Sequence, residues 1–85
     1  MKKVLMYTMD WCPYCHRAEQ LLRVKGARLE KFSVEHAPKL YKEMVRISGR
    51  LTVPQIFIGD THVGGYDDLA ELEAEGKLDE MLADS

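Results

Sequence analysis

Two cysteines held apart by two residues, in Cys12-Pro13-Tyr14-Cys15, stand where a short apolar run gives way to a helical pattern. Val4-Leu5-Met6-Tyr7 before them suits a buried strand, and Ala18, Leu21 and Leu22 after them recur at helical spacing. The pair therefore lies at a strand-to-helix junction. Pro13 fits the first helical position, because its fixed φ suits the helix and its missing N–H is one that would lack an intrahelical partner. Cys12 then falls at or just before the helix start, where unpaired amide N–H groups and the positive end of the helix dipole favour an anion. Cys12 is expected to be the thiolate, and Cys15, one turn inside, to stay a protonated thiol. Thiolates are the attacking species in disulfide exchange, and an unperturbed cysteine is only roughly 3% ionised at pH 7. Lowering a thiol's pKa raises that fraction but lowers intrinsic nucleophilicity by a similar factor, so the main gain is as a leaving group in the next exchange. The pair reads as a redox centre.

At 85 residues there is room for one domain, 1–85, with one modest core. A charged fraction of 31% and a net charge of -2 fit an ordinary globular chain and give no reason to invoke nucleic acid or an anionic membrane. Lys2 and Lys3 look like the start of a signal peptide, but Val4 to Met9 is shorter than the apolar region of about 7 to 15 residues such a peptide needs, and Asp10 ends it. The chain is expected to be unprocessed and cytoplasmic. Two cysteines in such a chain argue for catalysis or metal binding over a structural disulfide framework.

Residues 3 to 8 form the first expected strand and 13 to 25 the first helix, ending near Gly26 as a left-handed cap. Residues 28 to 34 follow as a strand, with Phe32 and Val34 alternating with Lys31 and Ser33. Pro38 opens a second helix in which Leu40, Met44 and Ile47 share a face, and Gly49 closes it. Each connection is long enough for a crossover helix, so the first two strands should be parallel. Gln55-Ile56-Phe57-Ile58 is the third strand, Gly59-Asp60 a type II′ turn, and Thr61-His62-Val63 the returning strand. Leu69 and Leu72, then Leu78, Met81 and Leu82, mark one or two short helices broken at Gly76.

Three runs in register now point to one family. Cys12-Pro13-Tyr14-Cys15-His16-Arg17, Thr52-Val53-Pro54-Gln55-Ile56-Phe57-Ile58 and Gly64-Gly65-Tyr66-Asp67-Asp68-Leu69 together resemble a dithiol glutaredoxin of bacterial type over nearly the whole chain. The resemblance implies an α/β thioredoxin fold: four mixed strands flanked by helices in the order β-α-β-α-β-β-α, with a further short C-terminal helix. It makes Cys12 the nucleophile and Cys15 the resolving thiol, and glutathione a co-substrate with no tightly bound cofactor. Tyr14 is then expected to line the glutathione groove, and Thr52 and Val53 to offer an extended backbone edge to the tripeptide. Pro54 matches the position that is cis in this fold. Gly65, Tyr66, Asp67 and Asp68 match the site for the γ-glutamyl end, where N–H groups at a helix start hold a carboxylate and an aspartate holds an ammonium. Arg46 matches a position that reaches the glycyl carboxylate. Implied partners are glutathionylated or disulfide-containing proteins, ribonucleotide reductase being one compatible substrate. Electrons would come from NADPH through glutathione reductase, and the enzyme would act as a monomer.

Two positions depart from the family pattern. Met9 stands where many relatives carry a lysine, and Trp11 precedes the nucleophile as tryptophan often does in thioredoxins. The competing redox reading is therefore a redoxin reduced by thioredoxin reductase. Cys12-Pro13-Tyr14-Cys15-His16 also spells the C-x-x-C-H of covalent haem attachment, which requires export. Structural zinc lacks two further ligands at suitable spacing, and Pro13 stands where cluster-bridging glutaredoxins usually have glycine or serine. His16 is expected to be an exposed first-turn residue, and His36 and His62 surface residues.

Overall fold

Alternation along two strands divides the interior into two layers. Val4 and Met6 of one strand and Ile56 and Ile58 of another face one side, while Tyr7 and Phe57 face the other. The computed structural model describes residues 1–84, with β1 (Lys3–Thr8), α1 (Pro13–Val24), β2 (Arg28–Ser33), α2 (Pro38–Ser48), β3 (Gln55–Ile58), β4 (Thr61–Gly64), α3 (Tyr66–Ala74) and α4 (Leu78–Leu82). The element order is the one expected from the sequence, with ends shifted by one residue at most.

The sheet runs β2-β1-β3-β4. β1 and β2 are parallel in register from Lys3 opposite Arg28 to Thr8 opposite Ser33, as a crossover through α1 requires. β3 lies antiparallel to β1, and β4 antiparallel to β3. Gly59 carries the positive φ of 58° in the turn between them and Asp60 does not, which makes the turn type II′ and not I′.

On one face Ala18 and Leu22 of α1, Leu69 of α3, and Leu78 and Leu82 of α4 close over Val4, Met6, Ile56 and Ile58. On the other, α2 sets Met44, Leu40, Tyr41 and Val45 against Tyr7, Val34 and Phe57. Leu22, Leu69, Leu78 and Leu82 are fully buried, so truncating any one of them to alanine costs about 2 to 5 kcal/mol. This α/β/α sandwich is the thioredoxin fold. It fixes the carboxyl end of β1, the start of α1 and the loop before β3 relative to one another. The Val53–Pro54 bond in that loop is cis. Among the described residues no helix is long and apolar enough to cross a membrane.

Candidate active site

The β1 to α1 turn holds Cys12 in extended backbone, φ -146° and ψ 106°, as the N-cap of α1. Its Sγ accepts the Cys15 N–H at 3.2 Å, the place a serine or aspartate oxygen takes in an ordinary cap. The Cys12 carbonyl accepts the His16 N–H at 3.1 Å and closes the first turn. Both cysteines are free, but their surroundings differ: Cys12 is half-buried and Cys15 is buried. Burial pushes the Cys15 thiol up from an ordinary 9.0 to about 11, and its hydrogen bond with Cys12 adds to the rise. One sulfur is thus reachable and fed by a helix N-terminus, while the other is stored protonated beneath it.

Trp11, 85% exposed, lines a cleft with Cys12, Pro13 and His16. His16 is exposed, and its Nε2–H donates to the Asp10 carbonyl at 3.0 Å. Tyr14 stands in the wall of a second cavity of about 360 Å³, lined also by Arg50, Thr52, Val53, Pro54, Gly65, Tyr66, Asp67 and Asp68. The Tyr14 and Tyr66 rings lie 6.3 Å apart, and the Arg17 guanidinium sits 5.5 Å from the Tyr14 centroid.

The far wall is built by a close approach of chain to chain. Asp68 accepts the Gly65 N–H at 2.9 Å and the Arg50 Nη1–H at 2.9 Å. The Arg50 guanidinium, then the Gly65 N–H, hold its carboxyl below the usual carboxylate range. Gly64 has a φ of 118°, and a Cβ there would collide with the Asp68 carboxylate, so this position requires glycine. With Asp68 so occupied, exposed Asp67 is the carboxylate of this wall left facing the cavity.

A glutaredoxin family model matches residues 4–63. A curated glutaredoxin of Pseudomonas aeruginosa is 52% identical over 83 residues, covering 98% of this chain and 99% of the relative. The solution structure of glutaredoxin from Brucella melitensis is 54% identical, with a TM-score of 0.85 over 96% of this chain and 89% of that one. A buckwheat glutaredoxin–glutathione complex, 30% identical, superposes with a TM-score of 0.87 over 95% of this chain and 76% of that one. The chain belongs to the glutaredoxin family. Glutaredoxins are glutathione-dependent thiol–disulfide oxidoreductases, and the Cys12–Cys15 spacing fits their dithiol site.

In this glutaredoxin eight of the residues nominated from sequence gather around the cavity beside Tyr14: Tyr14 itself, Thr52, Val53, Pro54, Gly65, Tyr66, Asp67 and Asp68. Arg46 does not line it. Its Nε and Nη2 donate to the two carboxylate oxygens of Glu43, three residues back on α2. The cavity's arginine is Arg50, which the sequence reading passed over. Its signal was position alone, two residues ahead of Thr52. His62 also departs from expectation. It is half-buried, its ring 4.8 Å from the Phe57 ring, and burial, then Arg50, hold its pKa below the ordinary 6.5. The cross-strand pairing of Phe57 with His62 puts it there. His36 is exposed, as expected. Among the described residues no group of three or more His, Cys, Asp or Glu side chains is placed to hold a metal ion.

Proposed function

We propose that this glutaredoxin reduces protein–glutathione mixed disulfides, and protein disulfides, with Cys12 as nucleophile and Cys15 as resolving thiol. The observation that carries the reading is the division of labour at the dithiol: a reachable Cys12 Sγ capping α1, above a buried Cys15 whose thiol is pushed up to about 11. Cys12 thiolate attacks the glutathione sulfur, forming a Cys12–glutathione disulfide, and the protein thiolate leaves with the electron pair of the broken bond and takes up a proton. A second glutathione thiolate then attacks the glutathione sulfur on Cys12, yielding glutathione disulfide and regenerating the Cys12 thiolate. For a protein disulfide, the Cys12 thiolate attacks one of its sulfurs, forming a mixed disulfide and releasing the other sulfur as a thiolate. Cys15 then loses its proton and attacks the Cys12 sulfur, expelling the second substrate thiolate and leaving a Cys12–Cys15 disulfide that two glutathiones reduce to the dithiol, becoming glutathione disulfide.

On this reading the cavity beside Tyr14 takes the tripeptide, as the buckwheat relative's glutathione complex encourages. Thr52 and Val53 offer it a backbone edge. N–H groups at the start of α3, in Tyr66 and Asp67, hold the γ-glutamyl carboxylate, and the Asp67 carboxylate holds its ammonium. Arg50 adds positive charge to that wall, and Arg46 reaches the glycyl carboxylate by giving up Glu43. The enzyme works as a monomer in the cytoplasm, drawing electrons from NADPH through glutathione reductase, with ribonucleotide reductase among its candidate substrates. Exposed Trp11 favours, as a second reading, reduction by thioredoxin reductase. The test is reduction of a glutathionylated peptide by wild type, Cys12→Ser and Cys15→Ser, in parallel with each electron source. Turnover only with glutathione, lost in Cys12→Ser and kept in Cys15→Ser, is the expected result. Turnover only with thioredoxin reductase would overturn the reading, and equal loss in both variants would reject the route through Cys12 alone.

A further inference from the structure

Gln55 is fully buried, and a buried carboxamide must spend its donors and its acceptor on partners. Its Nε2–H donates to the Thr52 carbonyl at 2.9 Å, and its Oε1 lies 2.8 Å from His62 Nε2. The roles are forced. A carbonyl oxygen only accepts, so the amide nitrogen faces Thr52; the amide oxygen then faces His62, whose Nε2 must carry the proton. A directed chain runs from His62 on the edge strand β4, through buried Gln55, to the backbone of Thr52.

The consequence falls on the next N–H. The Thr52–Val53 peptide is trans, as every peptide bond among the described residues is except Val53–Pro54, and in a trans unit the C=O and the following N–H point in opposite directions. Turning the Thr52 carbonyl inward to Gln55 therefore turns the Val53 N–H outward. Thr52 and Val53 line the cavity beside Tyr14, and among the described residues the Val53 N–H has no hydrogen-bond acceptor within the chain. We infer that His62 and Gln55 are positioning residues: together they lock the Thr52–Val53 peptide so that the Val53 N–H is presented to a carbonyl of a bound peptide. This deepens the functional reading above and rests on it. Neither side chain lines the cavity, so both act through the backbone they hold. Stacking of His62 on Phe57 fixes the imidazole plane and keeps Nε2 aimed at Gln55.

The test titrates S-methylglutathione into ¹⁵N-labelled wild type, His62→Phe, His62→Gln and Gln55→Leu, following amide shifts. In wild type the Val53 amide is expected to shift and saturate. His62→Phe keeps the stack and deletes the donor, and Gln55→Leu deletes both links. Each should weaken binding about two- to tenfold, the range one hydrogen bond spans, and shrink the Val53 shift. His62→Gln restores an N–H donor and should recover part of the affinity. A merely structural role would lower the melting temperature of the variants while leaving the Val53 shift and the dissociation constant as in wild type, and that result would overturn the inference. A measurement on wild type alone guards against variants that fail to fold: the long-range ¹⁵N spectrum should show the His62 Nε2–H tautomer, and the Nδ1–H tautomer would overturn the chain. Wild type that bound no S-methylglutathione would overturn the functional reading and this inference together, whereas normal wild-type binding with unaltered variants sinks the inference alone.

Discussion

Raising the pH should destabilise this protein through one buried sulfur. Cys15 is 2% exposed and its thiol is pushed up from 9.0 to about 11 by burial, then by its bond with Cys12. The folded state thus holds the Cys15 proton more tightly than the unfolded chain does. The stability this contributes is complete below the unfolded value and is lost as the pH rises through the folded one, between about 9 and about 11. A shift of that size is worth between about 2 and 3 kcal/mol, a large part of the roughly 5 to 15 kcal/mol of a whole domain. Urea unfolding of wild type and Cys15→Ala, both kept reduced with a phosphine, measures it at about pH 8 and about pH 11.5. The pair is needed because Tyr7, raised by burial and then by Glu43, titrates in the same alkaline direction. Cys15→Ala has a constant packing cost, so the wild-type advantage over it should shrink by about 2 to 3 kcal/mol across the window. An advantage that stays constant would refute the argument that burial holds the Cys15 proton. At pH 7 the same value leaves about one Cys15 in ten thousand ionised, so iodoacetamide should modify Cys12 alone.

Gly64→Ala should destabilise the fold by about 2 to 3 kcal/mol in chemical denaturation, from backbone strain plus loss of the Asp68 cap. Gly26→Ala, where φ is 73° and nothing lies within 4 Å of the added Cβ, should cost only about 1 to 2 kcal/mol, so equal losses would count against the collision. Arg50→Ala breaks a pair whose partners are 47% and 41% exposed, so stability near neutral pH should fall by no more than about 1 kcal/mol. The Asp68 contribution is present above its ordinary 3.8 and is lost as the pH falls through its lowered value; Arg50→Ala raises that value, and the acid unfolding midpoint should move up. Met9→Lys removes an apolar side chain packed on the Tyr7, Met44 and Phe57 cluster at a cost of about 1 kcal/mol, and adds a cation near Cys12. Faster alkylation of Cys12 and a lower dissociation constant for S-methylglutathione are expected, and no change in either would show that Met9 lies too far from the sulfur.

The elements were legible because each is written locally. Pro13 and Pro38 open helices at the positions their fixed φ suits, and Gly49 closes α2 in the left-handed region. Gly59 sets the hairpin turn, and period-2 alternation in β1 and β3 sorts side chains to the two faces. The dithiol was legible for the same reason: the cap that holds Cys12 and the turn that buries Cys15 lie within four residues. Motif runs carried the cavity, since Thr52–Pro54 and Gly65–Asp68 each enter it as a contiguous stretch.

What escaped the sequence lies between stretches. Three basic or titratable side chains take other roles once the chain is folded, two of them through a partner that no helical spacing rule links to them. Arg50 finds Asp68 18 residues on, across the junction of the β3 loop with the start of α3. His62 finds Gln55 only because the β3–β4 hairpin sets Phe57 opposite His62, and it becomes half-buried by that pairing. Arg46 is the instructive reverse. Its nearest carboxylate, Glu43, is three residues away on the same helix, and that local ion pair was there to be read. On the proposed reading a ligand carboxylate would compete with Glu43 for Arg46, whereas Arg50 already stands in the cavity wall. On that reading, the electrostatics of the groove follow from which arginine keeps its internal partner when a ligand binds. Because Glu43 is exposed enough for water to screen the pair, exchanging it for a second carboxylate costs little. Exchanging Asp68 would also release the cap on Gly65, so the Arg50 pair is the one that persists.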